Sequence, residues 1–415
     1  MIKCTQSNPP PPPQTSGSVR EVGSAFLTLG ITAFGGPIAH MGYFHKAFVV
    51  RRNWLDEEAF ASLLALCQFL PGPASSQMGF AIGLRRAGLA GALAAFLGFT
   101  LPSALLMALA AFGVALMDGP LVQGILAGLK LVAVAVIADA ILGMARTLCP
   151  DRFRATLAIG TLAVVLAWPL TGFPLVLGQL LPLGLAGLVH WVAAQKPPQN
   201  RSLPAPTALS LGRGAGLLFL VLFTVLLLGL PLAAGLGRGV QVFDAFFRSG
   251  ALVFGGGHVV LPLLQAEVVE SGLVPPQSFL AGYGLAQAMP GPLFTIGSYL
   301  GAAAGQGSGI SSALGLAALG TLAIFLPGFL LLGVLPFWET LGNRPDVRAA
   351  LAGINAAVVG LLAAAFWDPV LARSVSGGLE AALAAMGFLG LRVWRLPPWT
   401  IVLALGCAGG LFLTP

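Results

Sequence analysis

From Val22 to the C-terminus, apolar stretches follow one another with little interruption, and polar positions fall in short clusters between them. Crossing the hydrocarbon of a bilayer takes about 20 apolar residues as a helix. By that measure Gly88–Leu116, Leu121–Leu148, Phe173–Ala194, Gly214–Ala234, Ile310–Leu335 and Val347–Phe366 predict spanning helices, with Leu379–Leu391 and Trp399–Leu413 as shorter candidates. Other apolar stretches are broken. Val22–Phe34 is cut by Gly35-Gly36-Pro37 before Ile38–Val50, and Ala59–Leu70 by Pro71-Gly72-Pro73 before Ala74–Leu84. Each piece is too short to cross alone. Proline removes a backbone donor and glycine frees the chain to turn, so both points break a helix. Such backbone is tolerated at membrane depth only where protein or water covers it.

The breaks recur. At an offset of about 220 residues, Phe34-Gly35-Gly36 matches Phe254-Gly255-Gly256, and Phe60 matches Phe279. Gln68 and Pro71-Gly72-Pro73 match Gln287 and Pro290-Gly291-Pro292, Leu101-Pro102 matches Leu326-Pro327, and Gly128 matches Gly353. The common order and near-constant spacing point to an internal duplication. Charge gives its orientation. The first Pro-Gly-Pro lies between Arg51-Arg52 and Arg85-Arg86, whereas no Lys or Arg occurs from Ser249 to Asn343, and Glu267 and Glu270 stand where the first half has arginines. Cytoplasmic flanks are rich in Lys and Arg, so the halves should face opposite sides. Arg146, Arg152, Arg154, Lys196, Arg201 and Arg213 put the loops after 148 and before 214 inside, while Arg238, Arg248 and Arg373 fit less well. The predicted fold class is an all-α polytopic membrane protein of about 10–13 membrane segments, made of two inverted-topology repeats with broken or re-entrant helices. Its expected parts are a Pro-rich tail (1–18), a first repeat (19–194), a cytoplasmic linker (195–213), an inverting helix (214–236) and a second repeat (237–415). The tail has no apolar h-region, which argues against a signal peptide.

Composition narrows the class. The chain is 57% hydrophobic and 8% charged, against roughly 25% charged in a soluble domain, so its expected partner is the lipid bilayer. An ordinary soluble enzyme and a nucleic-acid-binding domain are excluded. Cys4, Cys67, Cys149 and Cys407 form no CxxC pair and have four histidines for company, so neither a disulfide framework nor a metal site is expected. Hydrolase, zinc-protease, dinucleotide and P-loop signatures are missing. The expectation is a protein that is not an enzyme, needs no cofactor and does not hydrolyse ATP.

Chemistry should gather at the breaks. The N-terminus of a half-helix offers unpaired N–H groups and a dipole that favours an anion. The candidate substrate-binding residues are therefore Gly35, Gly36, Pro37, Pro71, Gly72 and Pro73, and in the second half Gly255, Gly256, Pro290, Gly291 and Pro292. His40 and His258 follow the two glycine breaks and could donate to an oxyanion or carry a proton, or else simply bond a backbone carbonyl. Gln68 and Gln287 precede the two Pro-Gly-Pro triplets and serve either as neutral donors or as helix-to-helix glue. Lys130 lies nine residues into an apolar span and is a functional candidate by default. Asp139, further along that helix, is a candidate for coupling or for an ion pair with another helix.

The stretch FGGPIAHMGYFHKAFVVRRNWLDEEAF, the QFLPGP at Gln68–Pro73, and the second-half FGGGHVVLP and LAQAMPGP resemble the chromate ion transporter family in its long, two-domain form. The resemblance covers about Arg20 to the C-terminus. It implies a multi-pass carrier of the bacterial inner membrane that expels chromate and confers chromate resistance, with sulfate as a close mimic. The second glycine motif reads GGGH where the first reads GGPIAH, so the two half-sites are not identical. The alternatives are uptake of sulfate or another oxyanion on the same fold and, from another class, an intramembrane lipid enzyme or lipid-handling protein. A homo-oligomer is left open.

Overall fold

The computed structural model describes residues 17–116, 119–172, 175–193, 212–253, 260–337 and 344–414, and these hold no strand. The first repeat runs through α1 (Val19–Thr32), α2 (Gly36–Phe44, extended by a π-helical turn His45–Arg51), α3 (Glu57–Phe69), α4 (Ala74–Leu116), α5 (Pro120–Leu148), α6 (Arg152–Ala167) and α7 (Leu175–Ala193). A single helix, α8 (Arg213–Ala233), leads to the second repeat. That repeat comprises α9 (Arg238–Ala251), α10 (Val260–Val268), α11 (Pro276–Ala286), α12 (Ile296–Ala304), α13 (Ile310–Leu331), α14 (Pro345–Ala365), α15 (Gly378–Arg392) and α16 (Pro398–Phe412). The two series correspond one to one once α4 is divided at Ala87-Gly88, where the backbone leaves helical geometry. Polar caps mark the start of several helices: Ser18 accepts from Glu21 N, Asp56 from Ala59 N and Asp151 from Arg154 N, each filling one orphan donor of a first turn.

The broken pairs are re-entrant hairpins. Glu21 opens α1, Trp54 follows the π-helical turn, and Arg86 ends the first part of α4. These three meet: Arg86 Nη2 is 3.0 Å from Glu21 Oε2, and the guanidinium lies 4.9 Å over the Trp54 ring. The chain from α1 to α2 therefore returns to the face it left, and so does the chain from α3 into α4. Phe26 of α1 stacks on Phe48 of the returning arm, 4.8 Å between ring centroids. In the second repeat, Arg248 of α9 meets Glu267 of α10, and Ser278 of α11 meets Tyr299 of α12.

Between the hairpins and the linker lie the second part of α4, α5 and α6, long and apolar enough to cross a membrane, and the shorter apolar α7. The sequence reading had only Phe173–Ala194 as a span after Leu148, although loop charges put both 152–154 and 196–213 inside, which needs an even number of crossings. The structure supplies the missing one as α6. Next comes α8, a single helix long and apolar enough to cross a membrane. It is among the most apolar helices, with mean hydropathy 2.7 over its best window and none of that window buried. Contiguous apolar surface of this kind belongs in lipid.

The repeats interlock. α5 packs against α15 and α16 of the second repeat, while α14 packs against α6 and α7 of the first. Gly128 and Gly353 sit at the equivalent crossings. A Cβ on Gly128 would collide with the Leu405 carbonyl of α16, and one on Gly353 with the Ala186 carbonyl of α7. The glycines are matched because the backbones approach equally closely in both places.

Candidate functional site

The two Pro-Gly-Pro triplets lie between hairpin arms, and each is bonded to the other repeat. The Gly72 N–H donates to the Val253 carbonyl (2.7 Å), at the end of α9, and the Gly291 N–H donates to the Ala33 carbonyl (2.8 Å), at the end of α1. Both glycines hold positive φ, +121° and +83°, a region that costs a side chain heavily. Each triplet also rests on the long helix of the other repeat at the matched Leu-Pro positions. A Cβ on Gly72 would lie 3.0 Å from Gly328 Cα, and one on Gly291 would lie 3.0 Å from Ser103 Oγ. Each Pro-Gly-Pro thus meets the opposite repeat, the first at Val253 where α9 ends and the second at Ala33 beside the first glycine break.

On the first-repeat glycine break, Gly35 has φ +105° and Gly36 φ +76° and opens α2. His40 is completely buried. Its Nε2 is 3.2 Å from the Ala33 carbonyl, the same oxygen that accepts from Gly291. That bond puts the proton of a neutral ring on Nε2 and leaves Nδ1 as an acceptor with no partner among the described residues. The ring edge meets Phe99 at 5.2 Å. Across from it, Ser103 Oγ donates to the Thr100 carbonyl and Ser298 Oγ to the Ala104 carbonyl. Thr100 Oγ1 is buried and unpartnered.

On the other side, Gly255, Gly256 and His258 lie outside the described residues, and Val253 marks the approach to that break. Here the sequence reading missed Gln77. It is fully buried, and its Nε2 bridges the Pro71 carbonyl and the Gly328 carbonyl at 3.0 Å each, tying the first triplet to α13. Its Oε1 and the neighbouring Ser76 Oγ have no partner among the described residues. Ser76 lies in the first turn of α4, where backbone N–H groups have no intrahelical acceptor, whereas the Gln77 N–H already donates to the Pro73 carbonyl.

The remaining candidates are spread more widely. Gln68 is exposed on α3, whereas Gln287 is half-buried at the end of α11. The Tyr283 hydroxyl bonds Gln287, and the amide Nε2 of Gln287 stays unpartnered. Lys130 is half-buried on α5, and the carbonyl of its neighbour Leu129 presses on Gly284 of α11, one turn before Gln287. Among the described residues no carboxylate pairs with Lys130. Asp139 instead pairs with Arg392 of α15 at 3.2 Å, both side chains being about one-third exposed. Among the described residues no cluster of three metal-ligating side chains is present.

Comparison with known proteins follows the same boundaries. Residues 20–190 and 240–410 each match the sequence profile of the family described as chromate transporter, so the duplication is a repeat of one family unit. The chain is 28% identical over 418 residues to a chromate transport protein of Pseudomonas aeruginosa, covering 97% of this chain and 93% of the relative. A probable chromate transport protein of Synechococcus elongatus is 27% identical over 421 residues, covering 95% and 96%. An uncharacterized transporter of Methanocaldococcus jannaschii is 26% identical over 343 residues, covering 82% and 81%. No solved structure matches the chain. With two copies of the family unit filling most of its length, interlocked across a pseudo-two-fold axis, the chain belongs to the chromate transporter family in its long, two-repeat form.

Proposed function

We propose that the chain carries a chromate-like tetrahedral dianion outward across the bacterial plasma membrane by alternating access, and so confers chromate resistance. The observation that supports this reading most is the reciprocal pair Gly72 N–H to Val253 O and Gly291 N–H to Ala33 O. It gathers four broken helix ends from two opposed repeats into one place, the arrangement in which a carrier can show a single site to either side in turn. The two glycine amides are already engaged. The anion is therefore held by the free first-turn amides of α4 beside the Ser76 hydroxyl, by the Thr100 hydroxyl, and by the Gln287 amide, with Lys130 as the nearby cation. Such a site neutralises a dianion mainly with dipoles, and release stays easy because few full charges hold it.

Export of an anion from a cell that is negative inside gains about 2.3 kcal/mol per charge per 100 mV, which favours the outward direction. Chromate and sulfate share charge and shape, so the choice between them rests on cavity size and donor placement. The relatives are named as transport proteins, which favours a carrier over a lipid enzyme.

Everted membrane vesicles containing the chain test this directly. They should accumulate labelled chromate, and excess unlabelled chromate should suppress the signal more than excess sulfate. Lys130→Ala should lower that flux about tenfold or more. Right-side-out vesicles that take up sulfate, with no chromate movement in the everted ones, would overturn both direction and substrate. An unchanged flux in Lys130→Ala would remove Lys130 from the site.

A further inference from the structure

One charged cluster in the second repeat takes no part in the site just described. Arg248 of α9 donates through Nε to Asp244 Oδ1 (2.9 Å) and through Nη2 to Asp244 Oδ2 (2.7 Å). The same Nη2 lies 2.7 Å from Glu267 Oε2, on α10. Asp244 is nearly inaccessible (3% exposed side chain) and Glu267 is 11% exposed. Arg248 and Glu267 stand on the two arms of one re-entrant hairpin, with the Gly255–Gly257 break between them, so the guanidinium clasps the hairpin shut.

The charge count is unbalanced. Two carboxylates share one guanidinium, and because both touch a single nitrogen they sit very near each other. Like charges this close disfavour joint ionisation, and an uncompensated buried charge is costly. A triad carrying one proton is neutral; without it the net charge is −1. Among the described residues no second cation bonds either carboxylate. The charges that act on Glu267 are Arg248 and Asp244. Among the elements packed on α9 and α10, α13 has no ionisable residue and α12 only Tyr299, while α8 carries Arg213 at its far end. α14 has Asp346 and Arg348 in its first turn, and α7 has His190, which bonds the Ala349 carbonyl. Glu270, one turn on, faces Arg373 and Asp368.

In the first repeat, among the described residues, no ion pair joins the α1 arm to the α2 arm. The positions matching Asp244 and Arg248 are Ser24 and Thr28, whose hydroxyls bond carbonyls of their own helix, and the hairpin there is closed by Phe26, Phe44 and Phe48. The ionic clasp is thus unnecessary for building a hairpin of this kind, and it breaks the symmetry of two otherwise matched halves.

We propose that Asp244, Arg248 and Glu267 form a proton-binding site, opening toward the outer face, that couples inward proton movement to oxyanion export. The inference rests on the transport reading above and adds its energy source. With the proton on Glu267, the carboxyl is neutral, Arg248 keeps only Asp244, and the tie between α9 and α10 is weakened. Deprotonation restores the clasp. The tie that holds α10 to α9, whose end accepts the Gly72 N–H at Val253, therefore changes with each proton gained or lost.

The test uses purified full-length protein, wild type and Glu267→Gln, with Glu267→Asp as the conservative variant. In pH-difference infrared spectra, the wild type should show the carbonyl stretch of a protonated carboxyl group. That band should be absent in Glu267→Gln and present in Glu267→Asp. In liposomes, an inward proton gradient should speed wild-type chromate efflux severalfold. In Glu267→Gln it should have no effect, while chromate-for-chromate exchange persists, which shows a folded and binding-competent protein. A Glu267→Gln protein whose efflux still responds fully to the gradient overturns the proposal, as does an unchanged infrared band. Liposomes in which the wild type neither binds nor exchanges chromate would instead overturn the transport reading, and the infrared band would still report on the proton site.

Discussion

Gly72 and Gly291 each do two things at once: they hold positive φ and they lend an N–H to the opposite repeat. A side chain at such a position costs on the order of 1–3 kcal/mol, and shifting the loop also breaks the bond across the axis. Gly72→Ala and Gly291→Ala should each insert into membranes yet lose chromate flux about tenfold or more, measured per amount of inserted protein. Near-wild-type flux in both would mean that the reciprocal bonds are incidental to transport. These glycines were legible because proline and glycine alter a backbone whatever surrounds them. Gln77 was not, since a glutamine three residues into a helix has no distinctive pattern, and its role depends on Gly328, 251 positions away. Glu267 was seen only as a topology marker for the same reason: its partner lies across a break. Asp139 was a coupling candidate by sequence, and the structure gives it Arg392, which no local spacing announces.

At the scale of elements, close crossings replace large side chains. α5 passes α16 at Gly128, and α14 passes α7 at Gly353, each with a carbonyl where a Cβ would go. Gly128→Val and Gly353→Val should therefore destabilise by similar amounts, lowering the unfolding temperature of the purified protein by several degrees each, because overpacking costs about 1–3 kcal/mol. A large loss in one and none in the other would deny the equivalence of these crossings. The sequence carried most of this layer: the first glycine break, both Pro-Gly-Pro triplets and the long apolar helices α4, α5, α8, α13 and α14 fall where periodicity and composition put them. It passed over α6 because the apolar run from Ala155 to Ala167 is well short of a full span and ends at Trp168-Pro169. Whether the broken pairs cross or return was also beyond the sequence, since that depends on Glu21, Trp54 and Arg86 meeting in space.

For the whole molecule, the duplication, the single apolar helix α8 between the copies and the interlocked helices describe one object built of two copies of one unit. Loop charge assigns its sides. Arg51, Arg52, Arg85, Arg86, Arg152 and Arg154 flank the hairpins and α6 of the first repeat, while the corresponding hairpin of the second repeat has Glu267 and Glu270. Arg248, which fitted that pattern poorly as a loop charge, is accounted for by its bonds to Asp244 and Glu267. The most direct measurement is the sidedness of two exposed positions, Arg52 at the first repeat's hairpins and Ser308 between α12 and α13, each replaced by cysteine in a background lacking the native thiols. With a membrane-impermeant thiol reagent on intact inner-membrane vesicles of known orientation, Arg52→Cys should react only from the cytoplasmic face and Ser308→Cys only from the opposite one. Reaction of both from the same face would contradict the inverted arrangement on which the site, the carrier mechanism and the proton inference all depend.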